Sequence, residues 1–277
     1  MQSSVTMCFL LLVFPVNAHF VENFEDCMEY FYKGHVPKWT SNHIHICQKF
    51  NNCYHFATLY DTTNRIPVYS AYIVEDGISS DHDWMVEPQV YDSFVNETHS
   101  GFFHRQLIPD FLTDMQATDV DYKQLPKGYN RGHLNPNSHH AGKRATMTLT
   151  NIVPQKQKLN QGMWKDHEDT LKALAKEHSV YVLVGAIPSK DTWIKRDNQP
   201  RVNIPDYMWV AYCYCDKTSC KSGGATAKNT ENKIDKCTLS QLQAFLEKHN
   251  RVEGLLFDND CYALLGSVQI QRVSVTL

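Results

Sequence analysis

Apolar and polar residues recur along this chain with two different periods. Phe56 to Tyr60 and Ile66 to Val74 are rich in β-branched and aromatic residues and flank the turn-forming Asp61-Thr62-Thr63-Asn64, which predicts a hairpin. Val180 to Ile187 is an apolar, β-branched run that predicts a buried strand, and Thr146 to Ile152, Ile204 to Tyr214 and Ala263 to Val275 predict three more. Asn130 to His133 should end a strand, with Pro136 and the polar Asn137-Ser138-His139-His140 marking a surface loop after it. Helical spacing takes over at Asn160 and runs to about His178, where Met163, His167, Leu171 and Leu174 recur at near-helical intervals. Asn160, Trp164 and Glu168 are four apart, so a single helix would set them on one face. Thr238 to Asn250 reads as a second helix, with a Thr238…Gln241 capping box and Leu239, Leu242, Phe245 and Leu246 on one side. Residues 19 to 50 predict irregular chain with a short helix near Asp26 to Tyr32, and Ser79 to Ser100 a loop. Strands and helices mixed without βαβ alternation argue for α+β, with a mixed or antiparallel central sheet. No Pro-, Gly- or Ser-rich linker divides the sequence, so residues 19–277 are expected to form a single domain.

Composition adds the compartment. Met7 to Val16 is mostly apolar, with the core Cys8-Phe9-Leu10-Leu11-Leu12-Val13-Phe14, and Val16-Asn17-Ala18 supplies small residues for cleavage. Residues 1–18 thus read as a secretory signal peptide, although the positive n-region is missing. The run is shorter than the roughly 20 residues needed to span a bilayer, and no second one follows, so the expected product is exported and crosses no membrane. No apolar tail precedes Leu277, which argues against a lipid anchor there. Of nine cysteines, Cys8 leaves with the leader, and the even remainder makes Cys27, Cys47, Cys53, Cys213, Cys215, Cys220, Cys237 and Cys261 disulfide candidates. Zinc at Cys213, Cys215 and Cys220 is the rival reading, disfavoured by export and by a spacing outside the common zinc patterns. Asn96-Glu97-Thr98 is a glycosylation sequon. The net charge of −3 does not advertise a polyanion-binding surface, so any such surface must be local. Lys143, Arg144, Lys156, Lys158 and Lys165 supply local cations around the segment that carries the chemistry.

That segment runs from Asn130 to Glu168. It reads Asn130-Arg131-Gly132-His133, then Asn151-Ile152-Val153-Pro154-Gln155, then Leu159-Asn160-Gln161-Gly162-Met163-Trp164, with Glu168 close behind. A histidine suits proton removal from water near neutral pH. A hard divalent cation takes oxygen ligands and keeps part of its water, and the Asn160 amide oxygen is such a ligand. Asn160 also suits a helix N-cap. With 14 histidines in the chain, most are expected to be structural; His133 stands out by its Arg-Gly context. Arg131 is suited either to stabilising phosphate charge or to pairing with structure behind the site.

Order and spacing together resemble the DNA/RNA non-specific endonuclease family of the ββα-metal (His-Me finger) group. The family pattern is Asp-Arg-Gly-His, Asn-Ile-x-Pro-Gln, Leu-Asn-Gln-Gly-x-Trp, and a Glu eight residues after the metal-binding Asn; the match covers roughly residues 55 to 270. Phe24-Glu25-Asp26-Cys27 and Phe31-Tyr32-Lys33-Gly34 are similar to the endonuclease domain-containing 1-like branch. The resemblance implies a ββα catalytic motif, His133 as general base, Asn160 as ligand of Mg²⁺ or Mn²⁺, Glu168 ordering metal-bound water, Arg131 as a catalytic cation, and Asn130, Asn151 and Gln155 in support. It implies DNA and RNA as substrates and 5′-phosphate products, and leaves a homodimer open. Two positions depart from the pattern. Asn130 stands where the family has Asp, and cannot supply charge to Arg131. His82 stands where the family often has an arginine, two residues before Trp84-Met85-Val86-Glu87-Pro88. Losing such a cation costs on the order of 100-fold in rate. The competing readings are therefore a nucleic-acid-binding protein on a weakened nuclease scaffold, and a disulfide-rich hydrolase of another phosphodiester.

Overall fold

A computed structural model describes residues 19–262, apart from 22, 42, 52, 78–83, 88–89, 91–112, 142, 218 and 250. The leader, His82, Asn96 and the strand expected at 263–275 lie outside the described residues. In chain order the elements are β1 (His19–Val21), β2 (Lys38–Trp39), β3 (Ile44–Phe50), β4 (Cys53–Asp61), β5 (Ile66–Ile73), α1 (Asp119–Tyr122), β6 (Tyr129–His133), β7 (Ile152–Lys156), α2 (Gln157–Asn160) and α3 (Met163–Leu174). Then follow β8 (Tyr181–Ile187), β9 (Trp193–Arg196), β10 (Gln199–Asn203), β11 (Tyr207–Cys215), β12 (Cys220–Lys228), β13 (Asp235–Cys237), α4 (Leu239–Lys248) and β14 (Val252–Glu253).

Among the described residues, eight strands form one sheet in the order β1-β3-β4-β5-β8-β11-β12-β13. Every pairing in it is antiparallel. The β4–β5 hairpin forms where its turn residues predict it, with the Asp61 carboxylate accepting the backbone N–H groups of Thr63 and Asn64 at 2.9 Å each. Central β8 shows why its sequence is apolar throughout. Val182, Val184 and Ala186 face one core with α3 residues Trp164 and Leu171, while Leu183 and Ile187 face a second core with α4 residues Leu239, Leu242 and Leu246. Strand side chains alternate between faces, so a strand covered on both sides has no polar period to display. Gly185 on β8 makes room for Trp209, since a Cβ there would lie 2.3 Å from its indole. α4 keeps its capping box: Gln241 N–H donates to Thr238 Oγ1 at 3.2 Å and Thr238 N–H to Gln241 Oε1 at 2.9 Å. The fold is α+β, three layers deep: α4 and the N-terminal 3-10 turns, the sheet, then the β6–β7–α3 layer.

Several local expectations are corrected. Ile44–Phe50 is a full strand inside a stretch expected to be irregular, and the expected short helix is a pair of 3-10 turns, Glu25–Tyr30 and Tyr32–Gly34. In place of the strand expected at 146–152 there are two 3-10 turns, Lys143–Thr146 and Leu149–Asn151, and β7 begins at Ile152. Within that segment Asn151 Nδ2 donates to the Thr146 carbonyl at 3.0 Å, and the Thr148 hydroxyl donates to buried Glu87 at 3.1 Å. The helix expected from Asn160 to His178 is broken: α2 ends at Asn160, Gly162 leaves helical geometry (φ −114°, ψ −121°), and α3 begins at Met163. Asn160 therefore ends a short helix and caps no N-terminus, and it shares no helix face with Trp164 and Glu168. Met163 is exposed, and Trp164, His167 and Leu171 form the buried stripe.

Three disulfides form among the described residues: Cys27–Cys47, Cys213–Cys261 and Cys215–Cys220. They remove Cys213, Cys215 and Cys220 from any zinc site. Cys53 and Cys237 remain free thiols, which corrects the expectation that all eight pair. β4 and β13 lie five strand positions apart in the sheet, roughly 24 Å at the usual spacing. A disulfide needs its Cα atoms within about 7 Å.

Candidate active site

β6 and β7 pair antiparallel, with Asn130 opposite Gln155, Arg131 opposite Pro154, Gly132 opposite Val153 and His133 opposite Ile152. α2 follows β7 without a loop and packs back against both strands. The result is a ββα unit, with the candidate base on its first strand and the candidate ligand, Asn160, closing its helix.

The register explains the motif. Alternate strand positions share a face, so Tyr129, Arg131 and His133 point one way and Asn130 and Gly132 the other. Gln155 lies directly over Gly132: a Cβ at 132 would sit 2.2 Å from Gln155 Oε1 and 2.6 Å from Gln155 Cβ. Only glycine admits that approach. Gln155 is fully buried, and neither amide atom has a partner among the described residues.

His133 is half-buried against Trp84, with ring centroids 5.2 Å apart. Its Nε2 is buried and has no hydrogen-bond partner among the described residues. Burial lowers its pKa to about 4, so the imidazole is neutral and able to accept a proton at physiological pH. Asn151 fixes the turn that follows. Its Oδ1 accepts from Ser70 Oγ (2.9 Å) and Asn135 N–H (3.0 Å), and its Nδ2 donates to the carbonyls of Asn135 (2.9 Å) and Thr146 (3.0 Å). It is fully buried with its amide engaged on both sides.

Of the two roles open to Arg131, the geometry displays the structural one. Nη2 donates to Asp119 Oδ1 at 2.8 Å, and the guanidinium lies between the rings of Trp84 (5.2 Å) and Tyr122 (5.4 Å). Its charge is already paired. Glu168, on α3, is half-buried, and its carboxyl is pushed up to about 8, first by burial and then by Asp169, with Lys165 and the Trp164 indole pulling the other way. His139 and His140 are buried, not on a loop surface. The 3-10 turn Asn137–His139 folds inward, where His139 Nε2–H donates to the Glu168 carbonyl at 2.9 Å and His140 Nε2–H to the His55 carbonyl at 2.8 Å. Among the flanking cations, Lys165 pairs with Asp169, Arg144 lies over Phe50, Lys156 lies over Tyr129, and Lys158 is exposed.

The donor set fits a hard cation that keeps most of its own water. The Asn160 carboxamide is half-exposed and makes no hydrogen bond to a described residue, which leaves its oxygen available. No group of three or more His, Cys, Asp or Glu side chains among the described residues could cage a metal. An amide oxygen with water and substrate oxygens is the ligation Mg²⁺ favours, and Zn²⁺ would demand more protein donors.

Sequence reasoning missed Asp119 as the partner of Arg131 and His139 as a strut to α3. Both pairings join residues from separate elements, and no local pattern announces them. Trp84 was visible within Trp84-Met85-Val86-Glu87, but nothing in the sequence indicates that its ring meets both Arg131 and His133.

Comparison with known proteins identifies the family. Residues 39–264 match the family described as DNA/RNA non-specific endonuclease. The chain is 33% identical over 202 residues to the human Endonuclease domain-containing 1 protein, covering 69% of this chain and 39% of that protein. The mouse protein of the same name matches to the same extent. The chain thus spans about two fifths of the length of these relatives. Among solved structures, a crystal structure of an EndoG/EndoGI complex shares the fold, at a TM-score of 0.53 and 18% identity, covering 85% of this chain and 93% of that one. A family match over most of the chain, with a ββα unit bearing His133 and Asn160 in the matched region, leads to one assignment: the chain belongs to the DNA/RNA non-specific endonuclease family, in its endonuclease domain-containing 1-like branch.

Proposed function

We propose that this chain is an exported, divalent-metal-dependent endonuclease that hydrolyses phosphodiester bonds of DNA and RNA with little base preference. The observation that carries the reading is a neutral imidazole without a hydrogen-bond partner among the described residues, in the same ββα unit as an amide oxygen that is also free of one. His133 accepts a proton from water as the oxygen attacks phosphorus. Asn160 would hold Mg²⁺ or Mn²⁺ through its carboxamide oxygen, and a bound cation would supply positive charge to offset the charge that builds up as the phosphodiester is cleaved. Glu168, whose carboxyl burial pushes up to about 8, would order water beside a bound cation, whose charge would favour the ionised carboxylate. The products are a 3′-hydroxyl and a 5′-phosphate. Contacts to phosphate and not to base edges would account for weak sequence preference.

Export rests on the leader composition and on three disulfides, which persist in oxidising compartments. Residues 19–277 as one nuclease domain, glycosylation at Asn96 and a homodimer belong to the same proposal. Plasmid and RNA digestion with Mg²⁺ or Mn²⁺, with and without chelator, tests it beside His133→Ala and Asn160→Ala. Equal digestion by wild type and both variants sinks the mechanism.

One observation favours a second reading, a nucleic-acid-binding protein with little turnover. Arg131 is neutralised by Asp119, so it brings no unpaired cation to the transition state. Tight DNA binding without cleavage across pH and metals would establish that reading, and robust cleavage would dismiss it.

A further inference from the structure

A general base must be aimed as well as neutral, and enzymes commonly aim a histidine by hydrogen-bonding its second ring nitrogen. The His133 Nε2 is buried and has no hydrogen-bond partner among the described residues. Among the described residues the aromatic ring packed on His133 is Trp84, at 5.2 Å and 34°.

Trp84 is itself held from three directions. Arg131 and His133 are two apart on β6 and share a face, so one indole meets both: the Arg131 guanidinium lies 5.2 Å from the Trp84 ring. That guanidinium is fixed by the Tyr122 ring at 5.4 Å and the Asp119 carboxylate at 2.8 Å. The backbone following Trp84 is tied to the segment leading into β7. Met85 N–H donates to the Met147 carbonyl at 2.9 Å, and Leu149 N–H to the Met85 carbonyl at 2.8 Å. The chain of contacts runs Asp119, Arg131, Trp84, His133, and it begins at a buried carboxylate and ends at the imidazole.

We propose that Trp84 is the positioning residue of the general base: its indole, clamped by the Arg131–Asp119 pair, fixes the His133 imidazole in the orientation that accepts a proton from the attacking water. This rests on the nuclease reading above and deepens it. Arg131 then acts through Trp84 and not on the phosphate, which gives its paired charge a purpose. The covering indole also excludes water from one side of the imidazole, in keeping with the lowered pKa of His133.

The test uses the full chain with Trp84→Leu and Trp84→Phe, assayed on plasmid DNA in Mg²⁺, together with NMR of the His133 ring protons. Trp84→Leu is expected to lower kcat about 10- to 100-fold with KM within about twofold, because a misaimed catalytic group costs rate and not binding. Trp84→Phe keeps an aromatic face and is expected to recover most of that loss. In wild type, ring protons of His133 should show NOEs to the Trp84 indole and an upfield shift, and the shift should vanish in Trp84→Leu. Unchanged kcat in Trp84→Leu overturns the proposal. A raised KM at constant kcat also overturns it, by making Trp84 a surface on which substrate stacks. Absence of the NOEs in wild type overturns it without reference to any variant, so a variant that fails to fold does not shield it. If wild type cleaves nothing while the NOEs and the shift are present, the nuclease reading fails and the packing of the imidazole stands.

Discussion

Replacing Gly132 with alanine places one methyl group where the β6–β7 pair leaves no room. The added carbon would meet Gln155 Oε1 at 2.2 Å and Gln155 Cβ at 2.6 Å. The amide end of Gln155 can swing away by rotation about its own bonds, but its Cβ cannot move without its backbone. Relief must therefore come from separation or sliding of the two strands, and β6 carries His133 one residue further on. Overpacking of this kind costs about 1–3 kcal/mol. For a chain of this size that corresponds to a fall in Tm of about 2–6 °C. Activity should fall further than stability, because displacing a catalytic group by about 1 Å can cost on the order of 100-fold. The assay is thermal unfolding beside plasmid digestion of Gly132→Ala, Gln155→Gly and the double variant. The double variant removes the offending Cβ of Gln155, and it should recover most of the stability lost in Gly132→Ala relative to Gln155→Gly. A Gly132→Ala protein that melts and cleaves like wild type would refute the reasoning, and with it the claim that close approach by Gln155 explains the glycine.

Asn151→Ala removes an amide engaged with Ser70, Asn135 and Thr146 in the buried interior; it should cost roughly 3–5 kcal/mol in denaturant unfolding, since the groups left behind stay buried and unpaired. His139 is held by burial at about 4 against 6.5 in the unfolded chain, so below pH 6.5 the unfolded state takes up a proton that the folded state refuses. Compared with the non-titrating His139→Gln, wild type should lose up to about 3 kcal/mol of stability between pH 6.5 and 4 and keep it above 6.5; parallel pH–stability curves for the two proteins would contradict this. Cys213→Ala with Cys261→Ala opens a bridge spanning 48 residues, which should lower stability by about 4 kcal/mol, read as a shift in denaturant midpoint with little change in cleavage rate at 25 °C.

The sequence by itself determined the parts whose causes are local. The β4–β5 turn follows from the Asp61 carboxylate capping its own backbone, β8 from an apolar run long enough for one strand, and α4 from a reciprocal cap and a leucine stripe. The pattern placed His133 at a strand end, where β6 ends, but it set Asn160 at the start of a long helix, whereas Asn160 closes the short α2 that follows β7. Tertiary structure decided what depends on neighbours far away in sequence. The break at Gly162 separates Asn160 from the helix of Glu168, although periodicity runs through both. His139 and His140 look like polar loop residues and are buried, because distant carbonyls accept their ring N–H groups. Cys53 and Cys237 stay reduced because the sheet holds their strands apart, which spacing in the sequence does not reveal. The pairing of Arg131 with Asp119, and the indole of Trp84 against His133, exist only once three separate segments converge. Hydrophobic period and capping act over a few residues and are written in order along the chain. Side-chain partners are chosen by packing, and packing is set by the whole fold.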